Sequence, residues 1–269
     1  MIAVLLASGY LLILGAAKAQ TTPAKTETTP ATVETKAAEP ASEPTENKEP
    51  APENDGSIKL LGDGGMENFY TWIEGAGVFI DPKGIFTLND GILRITGERT
   101  GYLATRKEHS DFHLIAEYKW GQMNVASTKR IGSSGLFIHG TGEDKEWMRG
   151  FECQLATNRS GNLVIHGGAK CKIGTNSFSR TWTEINKSPA AKELAAGEWN
   201  TMEVFAVGDK LRVLVNGKQA MEATDLLPNR GKIYLQSNGA EIFFRRLDLY
   251  PLEKMPEAPA EEVSKTATK

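Results

Sequence analysis

Residues 199–224 read WNTMEVFAVGDKLRVLVNGKQAMEAT. Three runs that alternate between apolar and polar residues are separated only by Gly208-Asp209 and Asn216-Gly217. A two-residue connection of this kind joins antiparallel strands, because Gly and Asn accept the positive φ that the twist of a hairpin demands. The stretch therefore predicts a β-meander.

The same grammar extends on both sides. FTLNDGILRIT (86–96) carries Asn89-Asp90-Gly91 between two apolar runs, a further hairpin signal. FHLIAEYKW (112–120) sets Phe112, Leu114, Ala116, Tyr118 and Trp120 on one face and His113, Glu117 and Lys119 on the other. GLFIHG, GFECQL and NLVIHGG read as shorter strands, and KIYLQS with AEIFFRRLDLY reads as a last hairpin about Asn238-Gly239. Only SPAAKELAAG (188–197) offers helical character, enough for a turn or two. Many strands, glycine-bearing turns and little helix predict an all-β fold, an antiparallel sandwich or jelly roll.

The flanks are of another kind. Residues 1–19 hold an apolar run ending in Ala17-Lys18-Ala19, the pattern of a cleavable export signal, and too short for a bilayer span of about 20 residues. Residues 20–55 are Thr, Pro, Ala, Glu and Lys without one aromatic, and 253–269 are similar. Such segments cannot bury enough apolar surface to offset the entropy of ordering them. The expected plan is a signal peptide at 1–19, a disordered linker at 20–55, one β-domain at 56–252 and a disordered tail. An exported chain, periplasmic or extracellular at the cell envelope, with no membrane span once mature, follows from that plan. A net charge of −3 does not suit a nucleic-acid partner, which calls for a concentrated basic patch. Export would permit Cys153 and Cys171 to pair, whereas the alternation around Cys153 is equally met by a buried free thiol.

GFECQLATNRSGNLVIHGG (150–168) holds the residues most able to do chemistry. Glu152 and Gln154 alternate with Phe151, Cys153 and Leu155, so they share a face about 7 Å apart. A carboxylate beside an amide offers acceptors and donors suited to sugar hydroxyls; an ordinary solvated sheet face would also accommodate them. His139 and His166 each end a strand before a glycine, where loops gather and sites are built. His113, on the polar face of its strand, reads as a surface residue. Gln236 and Asn238 sit at a strand end, and Trp147 with Arg149 lie in the polar stretch before the Glu152 strand. Trp147 could stack on a sugar ring or plug the end of the core. No glycine-rich phosphate loop, nucleophile elbow, CxxC or HExxH is present.

SSGLFIHGTGEDKEW, GFECQL, GEWNTMEVFAVGDKLRVLVNG and GKIYLQSNGAEIFFRRLDLYPL, in that order, resemble the 3-keto-disaccharide hydrolase domain family. The resemblance spans nearly the whole folded part and implies a concanavalin A-like sandwich acting on carbohydrate. It implies substrates whose C3 hydroxyl has become a ketone, cleaved by elimination and hydration. Glu152 or His139 would be the base, His166 a second acid/base or a metal ligand, and Gln154 and Gln236 hydroxyl or enolate ligands. A divalent metal is compatible with such chemistry, its ligands unknown. This chain has Ser237-Asn238 where many members carry Asp-His, Ser133 where Asn is usual, and Arg246 in place of Asn. Any role of that acid and histidine has therefore lapsed or moved. Two rival readings are a non-catalytic carbohydrate-binding module on a flexible stalk and an interaction domain of the envelope. Convergence of Glu152, Gln154, His139 and Gln236 on one pocket would favour the enzyme.

Overall fold

A computed structural model describes residues 56–62, 64–121, 133–195 and 197–258. The expected leader at 1–19, the linker at 20–55 and the end of the tail lie outside the described residues. Eighteen strands run in chain order. They are Ile58–Lys59 (β1), Phe69–Ile73 (β2), Gly77–Val78 (β3), Phe86–Asn89 (β4), Ile92–Ile95 (β5) and Gly101–Thr105 (β6). Phe112–Trp120 (β7), Ser133–Thr141 (β8), Arg149–Ala156 (β9), Leu163–His166 (β10), Lys170–Ile173 (β11) and Asn176–Phe178 (β12) follow. The last are Trp182–Ile185 (β13), Asn200–Val207 (β14), Lys210–Val215 (β15), Lys218–Leu227 (β16), Lys232–Ser237 (β17) and Ile242–Pro251 (β18).

The strands form two antiparallel sheets. Sheet I is ordered β12-β11-β16-β15-β14-β7-β18-β5-β4, with β1 also on β18, and sheet II is β13-β10-β9-β8-β17-β6-β2-β3. Inward residues of both, among them Leu114, Tyr118, Met202, Val204, Val213 and Phe244 from sheet I and Leu136, Ile138, Phe151, Cys153, Ile165 and Leu235 from sheet II, make one core. The all-β sandwich is thus observed, and the meander is β14-β15-β16 as its turns dictate. Asn216 at φ 49° and Gly217 at φ 73° supply the two positive angles. The Asn216 side chain also pins its surroundings. Its Oδ1 accepts from the Thr201 amide at 2.8 Å, and its Nδ2 donates to the Lys192 carbonyl and Asn200 Oδ1, each at 2.9 Å.

Three expectations are corrected. β17 and β18 are not a hairpin: β17 pairs with β6 and β8, β18 with β5 and β7, and Asn238-Gly239 carries the chain from one sheet to the other. The segment 188–197 shows no helix among its described residues; Pro189-Ala190 form a turn. Its Glu193 is instead drawn onto Tyr118, Trp120 and Ser160, whose donors reach its Oε1 at 3.0, 3.0 and 2.7 Å. His113 is not simply solvated, since its ring stacks on Phe205 at 4.0 Å and meets Glu203 at 2.9 Å. Both thiols are free and buried.

Asn216→Ala is expected to lower the stability of the domain by about 1–2 kcal/mol, because it removes three hydrogen bonds and puts a Cβ-bearing non-Asn residue at positive φ. Urea unfolding followed by intrinsic fluorescence checks the value.

Candidate functional site

The outward face of sheet II carries the site. Strand alternation turns Glu152 and Gln154 away from the core that Phe151, Cys153 and Leu155 enter. Register then arranges the neighbours in two rows. Gln154 lies opposite Gly135, Gly135 beside Gln236 (one step from the Leu136–Leu235 pair), Gln236 opposite Tyr102 and Tyr102 opposite Trp72. In the next row Val164, Glu152, Phe137, Tyr234, Ala104 and Tyr70 succeed one another across the strands. The face is buried rather than solvated: Glu152 is 3% exposed, Gln154 8%, His166 2% and Gln236 2%.

Glu152 and His166 hold each other, with Oε2 and Nε2 2.7 Å apart. Burial pushes the Glu152 carboxyl above its ordinary range, and the hydrogen bond and charge of His166 oppose that shift. Trp147 lies parallel on the His166 ring at 5.9 Å and 8°, and Phe137 touches the ring at 5.2 Å. Phe137 stacks in turn on Tyr234 at 4.1 Å, and Tyr234 meets Tyr102 at 4.8 Å. Trp72 stacks on Tyr102 at 5.4 Å. The result is an aromatic wall along one side of the polar row.

One polar atom on this face, Gln154 Oε1, is buried without a hydrogen-bond partner among the described residues. Such an atom is costly to leave unpaired. Gly135 stands between the two glutamines, and its lack of a side chain makes room for the Glu152 carboxylate and the Phe137 ring: a Cβ there would stand 2.4 Å from Glu152 Oε1 and 2.7 Å from Phe137. Two amides beside a carboxylate suit a hydroxyl-rich ring.

Of the residues expected from sequence, Glu152, His166, Gln154, Gln236 and Trp147 come together. Asn238 is at the rim, its Nδ2 donating to Ser133 Oγ at 3.2 Å. Arg149 leaves the group, its guanidinium directed at the Leu227 carbonyl. His139 does not reach it either. A register shift after Ile138 and a φ of 53° turn its ring toward Phe112, 5.7 Å away in the opposite sheet. The ring is fully buried, and burial pushes it down to about 4. Tyr70, Trp72, Tyr102, Gly135, Phe137 and Tyr234 escaped the sequence reading. The alternation in FYTWI, GYLAT and KIYLQS that sorts them onto one face was there to be read.

The donors do not fit a metal. Glu152 and His166 are engaged with each other, and among the described residues no three His, Cys, Asp or Glu side chains gather. A cavity of about 360 Å³ lies elsewhere, lined by Ile173, Asn186, Ser188, Gln219, Met221 and Glu222 beside β11 and β16. Among the described residues no helix is long and apolar enough to cross a membrane.

With this geometry in place, comparison with known proteins supplies the family. Residues 43–249 match the 3-keto-alpha-glucoside-1,2-lyase-like domain, and the chain belongs to that family. Among solved structures, a Parabacteroides distasonis ATCC 8503 protein provisionally named a glycosyl hydrolase is similar at TM-score 0.52 and 18% identity. The similarity covers 76% of this chain and 98% of that one. A Bacillus subtilis protein of unknown function with a galectin-like fold is similar at TM-score 0.50 and 11% identity, over 74% and 96%. At these identities the likeness concerns the fold. No curated protein matches the chain.

Gly135→Ala is expected to destabilise the domain by about 1–3 kcal/mol through overpacking and to displace Glu152 from His166; thermal unfolding and the histidine NMR signals of the variant check both. The buried His139 yields a pH prediction. An unfolded imidazole titrates near 6.5 and this one near 4, so the unfolded state gains the proton first as pH falls. Stability contributed here is complete above about pH 6.5, is lost by about 3 kcal/mol between 6.5 and 4, and changes no further below. His139→Asn, which tolerates the positive φ, removes that slope in urea titrations at successive pH values.

Proposed function

We propose that the chain is an exported carbohydrate-active enzyme that cleaves 3-keto-glycosides by elimination and hydration. The observation that carries the reading is the buried Glu152–His166 pair set beside Gln154 and Gln236. Family membership supports the same chemistry.

A ketone at C3 of a sugar makes the C2 proton acidic. Glu152, in its carboxylate form, removes that proton, and the electron pair moves toward the C3 oxygen as an enolate. Collapse expels the C1 substituent, which leaves with a proton as an alcohol, and a C1–C2 double bond remains. Water then adds, its oxygen to C1 and a proton to C2, for net hydrolysis. A base raised by burial operates closer to neutral pH than an ordinary carboxylate, which strengthens proton abstraction. His166 shares the proton held between the pair, and the amide N–H groups of Gln154 or Gln236 face the developing enolate. Gln154 Oε1, lacking a partner in the protein, accepts from a ring hydroxyl.

A non-catalytic sugar-binding role is favoured by a different observation. At the positions where many relatives carry Asp-His, Ser237 is fully buried with its Oγ donating to the Arg99 carbonyl at 2.7 Å, and Asn238 is tied to Ser133. Neither is placed to transfer protons. The carboxylate at 152 answers that objection by supplying a base of its own.

The test is release of 4-nitrophenol from its 3-keto-glucoside. The wild type is expected to turn over, with a rate that rises with pH through a raised carboxylate titration, and Glu152→Gln to lose at least about a hundredfold in kcat while keeping its unfolding temperature. Saturable sugar binding without release from the wild type would assign the binding role instead. The export part of the reading requires a mature chain beginning at Gln20, which N-terminal sequencing of secreted material decides.

A further inference from the structure

The loop 142–148, between β8 and β9, is fastened to the site's face at two separated points. It leaves β8 through Gly142 at φ 96°. Asp144 Oδ1 then accepts hydrogen bonds from both the Tyr70 and Tyr102 hydroxyls, at 2.5 and 2.6 Å. Lys232 Nζ donates to the Tyr70 oxygen at 2.9 Å and sits 4.1 Å over the Tyr70 ring. Tyr102, which belongs to β6, is fully buried between Trp72 and Tyr234. Three residues past Asp144, Trp147 lies on His166 of β10, and Met148 is 1% exposed within the aromatic cluster.

Between β6 and β10 stand β17, β8 and β9. The two fastenings are therefore roughly 19 Å apart at the strands, four strand spacings. The Asp144 and Trp147 side chains reach outward from the loop to these two points, and Met148 packs in the same cluster as Phe137 and Tyr234. Trp147 and Met148 give the end of the loop an apolar reason to lie on an aromatic face, whereas its Gly-Glu-Asp-Lys-Glu part, 142–146, has none of its own. A carboxylate that accepts from two buried hydroxyls gives it one, since charge-assisted hydrogen bonds are the strong ones.

We propose that Asp144 is a positioning residue of the site: by anchoring loop 142–148 to the Tyr70–Tyr102 pair it holds Trp147 on His166 and makes the loop one wall of the sugar-binding cleft. The pair of tyrosines is consumed in this task, as both hydroxyls point their protons at Asp144 and not at a ligand. Lys232 supports the anchor from behind. The wall rests on the cleft of the proposed function, whereas the anchoring itself does not.

The experiment therefore reads both. Asp144→Ala and the double variant Tyr70→Phe/Tyr102→Phe are compared with wild type by amide hydrogen exchange of 142–148 and by the emission of Trp147, isolated as the difference from Trp147→Phe in each background. Both variants are expected to raise exchange in the loop by at least about tenfold and to shift the Trp147 contribution toward that of a solvated indole. On the 4-nitrophenyl 3-keto-glucoside, KM should rise about tenfold with kcat changed less than threefold, and Asp144→Glu should recover part of the loss. Unchanged exchange and unchanged Trp147 emission would overturn the anchor. Changed exchange with an unchanged KM, or an unchanged sugar Kd if the chain binds without turnover, would overturn the wall. If the wild type neither turns over nor binds the sugar, the functional reading fails, and the exchange and emission still decide the anchor.

Discussion

Strands β6, β8, β9, β10 and β17 of sheet II are buried on both faces, and the site follows from that constraint. A sheet packed on one side can leave its other side to water, and each polar residue there finds partners freely. A doubly buried sheet cannot. Every outward polar group must be paired within the protein, covered by a loop, or reserved for a ligand. Glu152 pairs with His166, and Tyr70 and Tyr102 pair with Asp144. Among the described residues Gln154 Oε1 is left over.

Sheet I shows the contrast. Its outward residues are salt bridges and cation–π pairs in partial contact with water, such as Arg94 on Glu241, Arg245 on Glu117, and Trp199 between Lys119 and Arg245. These are individually weak because solvent screens them, and none isolates a carboxylate. On sheet II, by contrast, the Glu152 carboxyl is buried and burial pushes it up. Perturbed groups gather where chemistry is done.

Much of this was legible in the sequence. The meander announced itself through Gly208-Asp209 and Asn216-Gly217, and the alternation in GFECQL placed Glu152 and Gln154 on a common face. Period-two reasoning failed where the chain departs from regular pairing. Past Ile138 two residues of β8 oppose one of β9, so His139 turns to the core although counting put it with the site. KIYLQS and AEIFFRRLDLY alternate identically whether they pair with each other or with strands more than ninety residues earlier, and partner choice is not a local property. The aromatic wall needed the register as well: alternation in FYTWI, GYLAT and KIYLQS puts their aromatics on one face of each strand, but nothing local says which strands then stand side by side. The Asp144 anchor joins positions 70, 102 and 144, a contact that only the folded register creates.

The central claim is that the outward face of sheet II receives a sugar ring beside the Glu152–His166 pair. It is tested most directly by a crystal structure of the chain with a 3-keto-glucoside. The account predicts the ring at Gln154 and Gln236, with C2 within reach of the Glu152 carboxylate and a ring hydroxyl donating to Gln154 Oε1. Sugar bound on sheet I or in the cavity beside β11 and β16, and none beside Glu152, would contradict it.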